Sequence, residues 1–202
     1  MAAIQPAGTD DSGHRADQPV TTAVTPAVTS AVTSAWRQPP TQLPDPQTIA
    51  EAVRDALWAR DRASQALGMC ITSIGPAEAT LTMTVRGDML NGHGSCHGGL
   101  ITTLADSAFA FACNACNEMT VASGITVNLV APAQQGDVLT ARCTEQHRSG
   151  RNGVYDCEVH NQRGERVALF RGHSTAIKGR PVVEGLPLPG PRLRSHADPS
   201  GR

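Results

Sequence analysis

Alternation of apolar and polar residues marks the first strand-like segment of the chain. In the stretch AEATLTMTV, the apolar residues alternate mostly with threonine, and they are Ala77, Ala79, Leu81, Met83 and Val85. Neighbouring side chains of an extended strand point to opposite faces. This period of two therefore predicts a strand with one buried face.

A helix is predicted just before this strand. The stretch TIAE has the form of a capping box, in which Thr48 caps the backbone and Glu51 reaches back toward it. Apolar residues follow at helical spacing, at Ile49, Val53, Ala56 and Leu57. Gly68 is expected to end this helix, because glycine readily adopts the left-handed conformation of a helix terminus.

Residues 100–116 form an almost uninterrupted apolar run, LITTLADSAFAFACNAC, in which Asp106 is the one acid. The run is too long for one strand, and its apolar residues surround the helical wheel, which predicts a helix enclosed by other structure. Four strand-like segments follow: VASGITVNLV, DVLTARCTEQH, GVYDCEVHNQ and RVALFRGHSTAI. The short Gly-containing breaks between them suit antiparallel neighbours. This order predicts an α+β fold, in which an antiparallel sheet of five to six strands wraps one long helix.

The two ends of the chain differ in composition from this central part. Residues 1–45 contain the repetitive stretch TTAVTPAVTSAVTSA, and residues 180–202 are rich in Pro and Gly. Segments with so few large apolar side chains do not offset the entropy of ordering. The sequence therefore predicts a disordered leader at 1–45, one domain at 46–179 and a disordered tail at 180–202.

Charge and composition argue against several classes of partner. The formal net charge is -1 and aromatic residues make up 3% of the chain, which gives neither a basic footprint nor a stacking platform for nucleic acid. No apolar stretch is long enough to predict a membrane span. The N-terminus has charged residues where a signal peptide needs an apolar core. The six cysteines are therefore expected to be reduced thiols of a cytoplasmic protein.

The stretch NGHGSCHGG, which precedes the apolar run, concentrates candidate chemistry in a glycine-rich turn. His93 and His97 are four residues apart and would suit zinc on a helix, but the glycines favour a loop and no third ligand is near. No metal site is therefore predicted. Cys96 beside His97 suggests a nucleophile with its base, yet catalytic pairs are assembled in space rather than between sequence neighbours.

The glycines of the same stretch place a helix N-terminus where an acyl group can approach it. Gly98 and Gly99 come directly before Leu100, and free N–H groups of a first helical turn stabilise a developing oxyanion. Asp106 has no Lys or Arg nearby in sequence, so burial is expected to raise its pKa. Gly98 and Asp106 are eight residues apart, about 12 Å along a helix, so one carbonyl carbon cannot touch both groups in one chain. This spacing predicts a composite site in a homodimer.

These segments together resemble a known family. LNGHGSCHGGLITTLADSAFAFACN is similar to the active-site segment of the hotdog-fold acyl-CoA thioesterases of bacterial phenylacetate degradation, the PaaI type. The similarity continues through VASGITVNLVAPAQQGD, GVYDCEVHNQ and VALFRGHS, and it spans roughly residues 48–179. The resemblance implies a hotdog fold and hydrolysis of an aryl-acetyl thioester, with hydroxylated phenylacetyl-CoA as the expected substrate. It also implies a tetramer built from two hotdog dimers.

The resemblance assigns roles to particular residues. The Gly98 N–H polarises the thioester carbonyl, and Asp106 acts as nucleophile or general base. Asn91 helps to place the water or the acyl group, with His97 beside it. No cofactor is expected. Three further positions are expected to contact the substrate: Gly99, Ser107 and, for a CoA phosphate or ribose, Arg171.

Two other classes of function remain compatible with such a domain. The main alternative is a hotdog protein that binds acyl-CoA without hydrolysing it, but such a protein has little need for Asp106 beside a thioester. A hydratase or dehydratase would use a His–acid pair, and His97 lies at the wrong end of the helix to pair with its own Asp106. Asp106 therefore favours the thioesterase.

Overall fold

The computed structural model describes residues 43–190. The helices of this range are α1 (Pro46–Trp58), α2 (Arg62–Ala66) and α3 (Gly98–Asn114), and a 3-10 turn spans Gly87–Met89. The strands are β1 (Cys70–Gly75), β2 (Glu78–Thr84), β3 (Thr120–Leu129), β4 (Val138–Ser149), β5 (Asn152–His160) and β6 (Arg166–Ala176). They form one antiparallel, open sheet in the order β1-β2-β4-β5-β6-β3. The predicted α+β class is confirmed, and none of the helices described is long and apolar enough to cross a membrane.

The apolar run predicted as a buried helix is confirmed as α3, which packs on one face of the sheet against β2, β4 and β5. Leu104 and Phe109 are fully buried there. The Phe109 ring contacts those of Tyr155 and Phe170 at centroid distances of 5.4 and 5.7 Å. A Cβ at Gly172 would lie 2.8 Å from the Phe109 ring, so the glycine makes room for the helix. This aromatic contact fixes the helix over the centre of the sheet.

The predicted first helix is confirmed as α1, but its predicted cap is wrong. Asp45 is the N-cap, and its carboxylate accepts the N–H groups of Gln47 and Thr48 at 2.8 and 3.2 Å. Pro46 occupies the first helical position, where a missing N–H leaves no helical bond unmade. Gly68 does not end this helix either, because α1 stops earlier and the short α2 intervenes.

The strand order corrects a further expectation. β3 and β4 are consecutive in the chain but are not neighbours, because β4 lies between β2 and β5 while β3 pairs with β6 at an edge. The connection between them crosses one end of the sheet. There Ala133 O accepts the Cys96 N–H, and Asp137 O accepts the Val85 N–H, each at 2.8 Å. Strand β1 shows little alternation of burial, and the sequence did not predict it.

The expectation that all six cysteines are reduced is wrong. Cys143 on β4 and Cys157 on β5 are direct partners in the register, and they form a disulfide in the core. The Cys157 sulfur lies 3.6 Å from Ala105 O of α3, so the bond lies under the helix. The pairing has no local signal, because only the antiparallel register brings the two side chains together. The free cysteines of the described part are Cys70, Cys96, Cys113 and Cys116.

The described range includes only a short part of the predicted leader and of the predicted tail. Residues 1–42 of the leader and 191–202 of the tail lie outside the described residues. The segment 180–190 contacts the domain through Asn117, which is fully buried. Asn117 Oδ1 accepts the Val183 N–H at 2.8 Å, and its Nδ2 donates to the carbonyls of Val183, Leu186 and Pro187.

Candidate active site

The glycine-rich loop before α3 is held by its own first residue. Asn91 Oδ1 accepts the His93 N–H at 2.9 Å, and Asn91 Nδ2 donates to Ser95 Oγ at 3.2 Å. The Asn91 N–H donates to Ser95 O at 2.8 Å, which closes the turn. The His97 N–H then donates to Met89 O at 2.8 Å and fixes the end of the loop against the start of the helix. Asn91 therefore shapes the approach to α3.

His97 is the N-cap of α3, and its imidazole holds the first turn. Nδ1 accepts the Gly99 N–H at 3.0 Å, so a neutral His97 ring carries its proton on Nε2. The Leu100 N–H donates to His97 O at 2.9 Å. Within residues 43–190, the Gly98 N–H has no hydrogen-bond acceptor. The helix therefore begins with a free backbone donor, to which the helix dipole adds partial positive charge.

Leu129, the last residue of β3, covers the Cα atom of Gly98. A Cβ at position 98 would lie 2.4 Å from Leu129 Cδ1. Leu129 is itself 53% exposed, so the pair forms part of the surface at the β3 edge of the sheet. Sequence reasoning missed Leu129, because only the pairing of β3 with β6 brings the end of this strand to the helix start.

Asp106 lies on the accessible stripe of α3, which we define as Gly99, Thr103, Asp106 and Ala110. These residues share one helical face because they are three or four positions apart. Burial raises the pKa of the Asp106 carboxyl, and no ion pair or hydrogen bond of the described residues offsets it. The predicted pKa shift is confirmed. A carboxylate in this setting is a stronger base than one paired with a cation.

The structure places the two other predicted substrate contacts differently. Ser107 is half-buried beside Asp106, and its Oγ lies 2.9 Å from Oγ of the buried Ser64 on α2. Arg171 points away from α3, because its neighbours on β6 face the helix, and it forms two 2.7 Å bonds with Asp156 on the outer face of the sheet. Ser107 thus joins the site around α3, whereas Arg171 does not. Ser64 had no signal in the sequence.

The alternative chemistries of the glycine-rich loop have little geometric support. The part of the chain that the structure describes contains no cluster of three or more His, Cys, Asp or Glu side chains that could hold a metal ion. Cys96 is buried, and burial raises the pKa of its thiol, which keeps it protonated and a poor nucleophile. The chemistry that remains is a backbone donor for a carbonyl oxygen and a carboxylate base. This pair suits acyl transfer to water.

Comparisons with known proteins find relatives of this chain among thioesterases. The model of the thioesterase superfamily matches residues 93–168. The chain is 47% identical over 124 residues to the acyl-coenzyme A thioesterase PaaI of Escherichia coli K12, an alignment that covers 61% of this chain and 89% of that protein.

Solved structures are similar over the same region. The E. coli PaaI protein from the phenylacetic acid degradation operon superposes with a TM-score of 0.66 at 43% identity, covering 67% of this chain and 99% of that one. A variant of the phenylacetic acid degradation protein PaaI from Thermus thermophilus gives a TM-score of 0.55 at 37% identity, over 57% of this chain and 98% of that one. The hotdog fold predicted from the sequence is confirmed.

Proposed function

Because the chain belongs to the thioesterase superfamily, and within it is a close relative of PaaI, we propose that it hydrolyses aryl-acetyl thioesters of CoA in phenylacetate catabolism. Hydrolysis of acyl-CoA thioesters is the activity that this relationship supports directly. The preference for a hydroxylated phenylacetyl group and the cytoplasmic location are the finer parts of the proposal.

The observation that carries the proposal is a Gly98 N–H without an acceptor at the start of a buried helix that also bears Asp106, and neither group has a partner among the residues that the structure describes. In the reaction, the thioester carbonyl oxygen accepts the Gly98 N–H. Asp106 takes a proton from water, which attacks the carbonyl carbon, or it attacks that carbon itself. The C–S bond then breaks and the CoA sulfur receives a proton. If Asp106 attacked the carbon itself, water next hydrolyses the acyl–Asp106 anhydride, so both routes consume one water and give the free acid and CoA. Donors of this kind are worth about 2.7–4 kcal/mol of barrier when one is removed.

The neighbouring residues support this reaction in distinct ways. His97 holds the first helical turn through Nδ1, which leaves its Nε2–H available to the substrate. Asn91 fixes the loop that forms one wall of the approach. Gly99 presents no side chain on the accessible stripe. Ser107 lines the acyl site, while Arg171 is the least supported of the predicted contacts because it lies on the opposite face of the sheet.

A homodimer with composite sites completes the proposal. Gly98 and Asp106 are separated by about 12 Å of helix in one chain, so one thioester reaches both only if two chains contribute. Strand β3 is an edge strand with exposed apolar residues, and these are Val121, Ile125 and Leu129. An exposed apolar edge of this length favours pairing with another strand. Pairing of two β3 strands would bring the Gly98–Leu129 surface of one subunit to its partner, and two such dimers would form the tetramer.

Mixing two inactive variants tests the composite site. Asp106→Asn and Gly98→Pro subunits are each expected to be inactive, because one lacks the carboxylate and the other the N–H. In a mixed dimer, one of the two sites combines an intact Gly98 with an intact Asp106. Random mixing in equal amounts makes half of the dimers mixed, so about a quarter of wild-type activity should return. Mixed dimers without activity would rule out the composite site.

Release of free thiol from phenylacetyl-CoA and its hydroxylated forms tests the activity itself. The wild type is expected to turn over, and Asp106→Asn is not. Binding of the thioester without turnover by the wild type would instead identify an acyl-CoA-binding protein. Equal turnover by wild type and Asp106→Asn would remove Asp106 from the mechanism.

The hydroxyl pair Ser64–Ser107 supports a hydroxylated ring, because either oxygen can act as donor to a ring hydroxyl while the other accepts. Ser107→Ala is expected to lower kcat/KM for hydroxyphenylacetyl-CoA more than for phenylacetyl-CoA. An equal effect on both substrates would remove this pair from ring recognition. Thr102→Ser is the control, since Thr102 Oγ1 bonds only to its own helix at Gly98 O.

A further inference from the structure

The Cys143–Cys157 disulfide lies in the core directly beneath the helix that carries Asp106. Its two residues are 0% and 1% exposed, and they join β4 to β5 at the centre of the sheet. The Cys157 sulfur lies 3.6 Å from Ala105 O, and Ala105 immediately precedes Asp106 in α3. The bond therefore contacts the helix one residue before the carboxylate of the proposed reaction.

A disulfide at this place is unusual for the cytoplasmic location proposed above. Disulfides are rare in cytoplasmic proteins, and those that occur are mostly transient bonds with a catalytic or redox-sensing role. The bond also closes only the β4–β5 hairpin, whose two strands are already hydrogen-bonded neighbours. Neither sulfur is exposed to a substrate, so the bond takes no direct part in the proposed reaction. These facts favour a regulatory role over a purely structural one.

Reduction changes the space that the two sulfur atoms need. Bonded sulfurs are about 2.0 Å apart, whereas heavy atoms in non-bonded contact are about 3.5–4.0 Å apart. Reduction therefore separates the two sulfurs by about 1.5 Å or more. The interior of a protein is close-packed, so neighbouring atoms have to move to make this space.

Helix α3 is the neighbour that yields most easily to this movement. Strand β4 lies between β2 and β5, and β5 lies between β4 and β6, so backbone hydrogen bonds fix the distance between the two bonded strands. Helix α3 rests on the sheet through side chains, and Ala105 is 0% exposed at this contact. A Cys157 sulfur that moves away from its partner therefore meets Ala105 O and pushes on the backbone at Asp106.

We propose that the Cys143–Cys157 bond is a redox switch of the hydrolysis, and that the oxidised chain is the more active form. This inference rests on the proposed function, because the switch acts through the position of Asp106. A dithiol reductant supplies the two electrons and two protons: the S–S bond breaks, both cysteines become thiols, and the dithiol becomes a disulfide. Exchange with a disulfide oxidant reverses each of these changes and returns Asp106 to its place.

Steady-state kinetics of the oxidised and the reduced wild type test the switch. Dithiothreitol reduces the native protein and is removed under argon, and loss of thioester absorbance in the ultraviolet then follows hydrolysis of phenylacetyl-CoA. Reduction should lower kcat about 3- to 30-fold with KM within about twofold, since a displacement of about 1 Å costs up to about 100-fold. Reoxidation should restore kcat. Equal kcat in both states, or a native protein in which dithiothreitol exposes no further thiols, would overturn the proposal.

Two double variants separate the added space from the loss of the bond. Cys143→Ala/Cys157→Ala removes the bond and both sulfurs, so it should keep a kcat close to that of the oxidised wild type and should not respond to reductant. Cys143→Val/Cys157→Val puts two side chains in non-bonded contact, and it should be as slow as the reduced wild type in either state. Cys70→Ser removes an exposed thiol and is the control that should keep the full response. A valine variant as fast as the alanine variant would refute the displacement of α3.

Amide hydrogen exchange makes the test independent of turnover. The N–H groups of α3 around Asp106 should exchange about tenfold faster in the reduced wild type than in the oxidised one, because the displaced helix loses packing. The alanine double variant lacks the bond as well, so it controls for the general loss of stability and should exchange more slowly than the reduced wild type. If neither redox state hydrolyses a thioester but α3 still responds to reduction, the failure lies with the proposed function. Exchange that reduction leaves unchanged, or that is equal in the reduced wild type and the alanine variant, would refute the switch.

Discussion

Replacing Gly98 by alanine separates the chemistry of the helix start from its packing. The Gly98→Ala chain keeps the backbone N–H of the proposed reaction, but its methyl group would lie 2.4 Å from Leu129 Cδ1. Carbon atoms in contact are normally about 3.5–4.0 Å apart, so the Leu129 side chain has to move by about 1 Å or more. Overpacking of this kind costs about 1–3 kcal/mol.

In the proposed dimer, Leu129 has little room to move, because strand β3 faces the partner. We expect Gly98→Ala to lower kcat/KM about 5- to 150-fold, which corresponds to the overpacking energy appearing in the barrier. The double variant Gly98→Ala/Leu129→Ala removes the clash and should recover most of this loss. Gly98→Pro removes the N–H, so Leu129→Ala should not rescue it. Release of free thiol from phenylacetyl-CoA measures the activity of all four variants.

Two further variants serve as controls for the loss of the Leu129 side chain and for the added methyl group. Leu129→Ala alone measures the cost of trimming the edge strand. Gly92→Ala is the matched glycine control, because a Cβ at position 92 meets nothing within 4 Å. Wild-type activity in Gly98→Ala would refute the packing argument. A double variant as slow as Gly98→Ala would show that the contact with Leu129 is not the cause.

Three other properties are open to measurement. Asp106→Asn should raise Tm at alkaline pH while it abolishes turnover. The pKa of the Asp106 carboxyl is higher in the folded chain than in the unfolded chain, so the folded state loses stability as pH rises from the unfolded pKa through the folded pKa. An unchanged or lower Tm of the variant would contradict this. Asp137, whose pKa Arg163 and other donors hold at about 2, stabilises the fold above its ordinary pKa, and this contribution disappears as pH falls toward 2. Asp137→Asn should therefore lower the free energy of unfolding in urea by about 1–2 kcal/mol at neutral pH, less than the full pKa shift implies, because Arg163 is partly exposed to solvent. A loss of the same size at pH 2 would argue against the ion pair. Reduction of the Cys143–Cys157 disulfide should lower the free energy of unfolding by about 3 kcal/mol, as for a closed loop of about 15 residues; without reductant the unfolded chain should titrate as four thiols, and six would contradict the bond.

Local sequence signals predicted the parts of the fold that local physics determines. The period of two over Leu81 and Met83 and the apolar run around Asp106 gave β2 and α3, because burial of one face or of a whole helix leaves its mark on consecutive residues. The capping-box pattern is complete at Thr48, which is why it predicts the cap of α1 there. Asp45 followed by Pro46 is an equally local signal, and it is the one that the structure uses.

Features that depend on distant pairing could not be predicted in the same way. The Cys143–Cys157 bond needs the register of β4 with β5, and the cover of Gly98 by Leu129 needs β3 to lie beside β6 rather than β4. Of the candidate site, the helix start and Asp106 came from the sequence because they lie within one turn-and-helix segment. The contact of Ser107 with Ser64 came only with the tertiary structure, which joins α2 to α3.

The hydrogen bonds of Asn117 attach the segment after β6 to the domain in a way that lets the two parts be exchanged separately. Gly98 and Asp106 lie within the stretch matched by the superfamily model, whereas Lys178 and Pro189 follow it in the chain. Asn117 attaches this following segment through backbone atoms of Val183, Leu186 and Pro187, so the attachment places little demand on their side chains. A segment of different sequence with the same backbone path can therefore follow β6 while the residues of the proposed reaction stay unchanged.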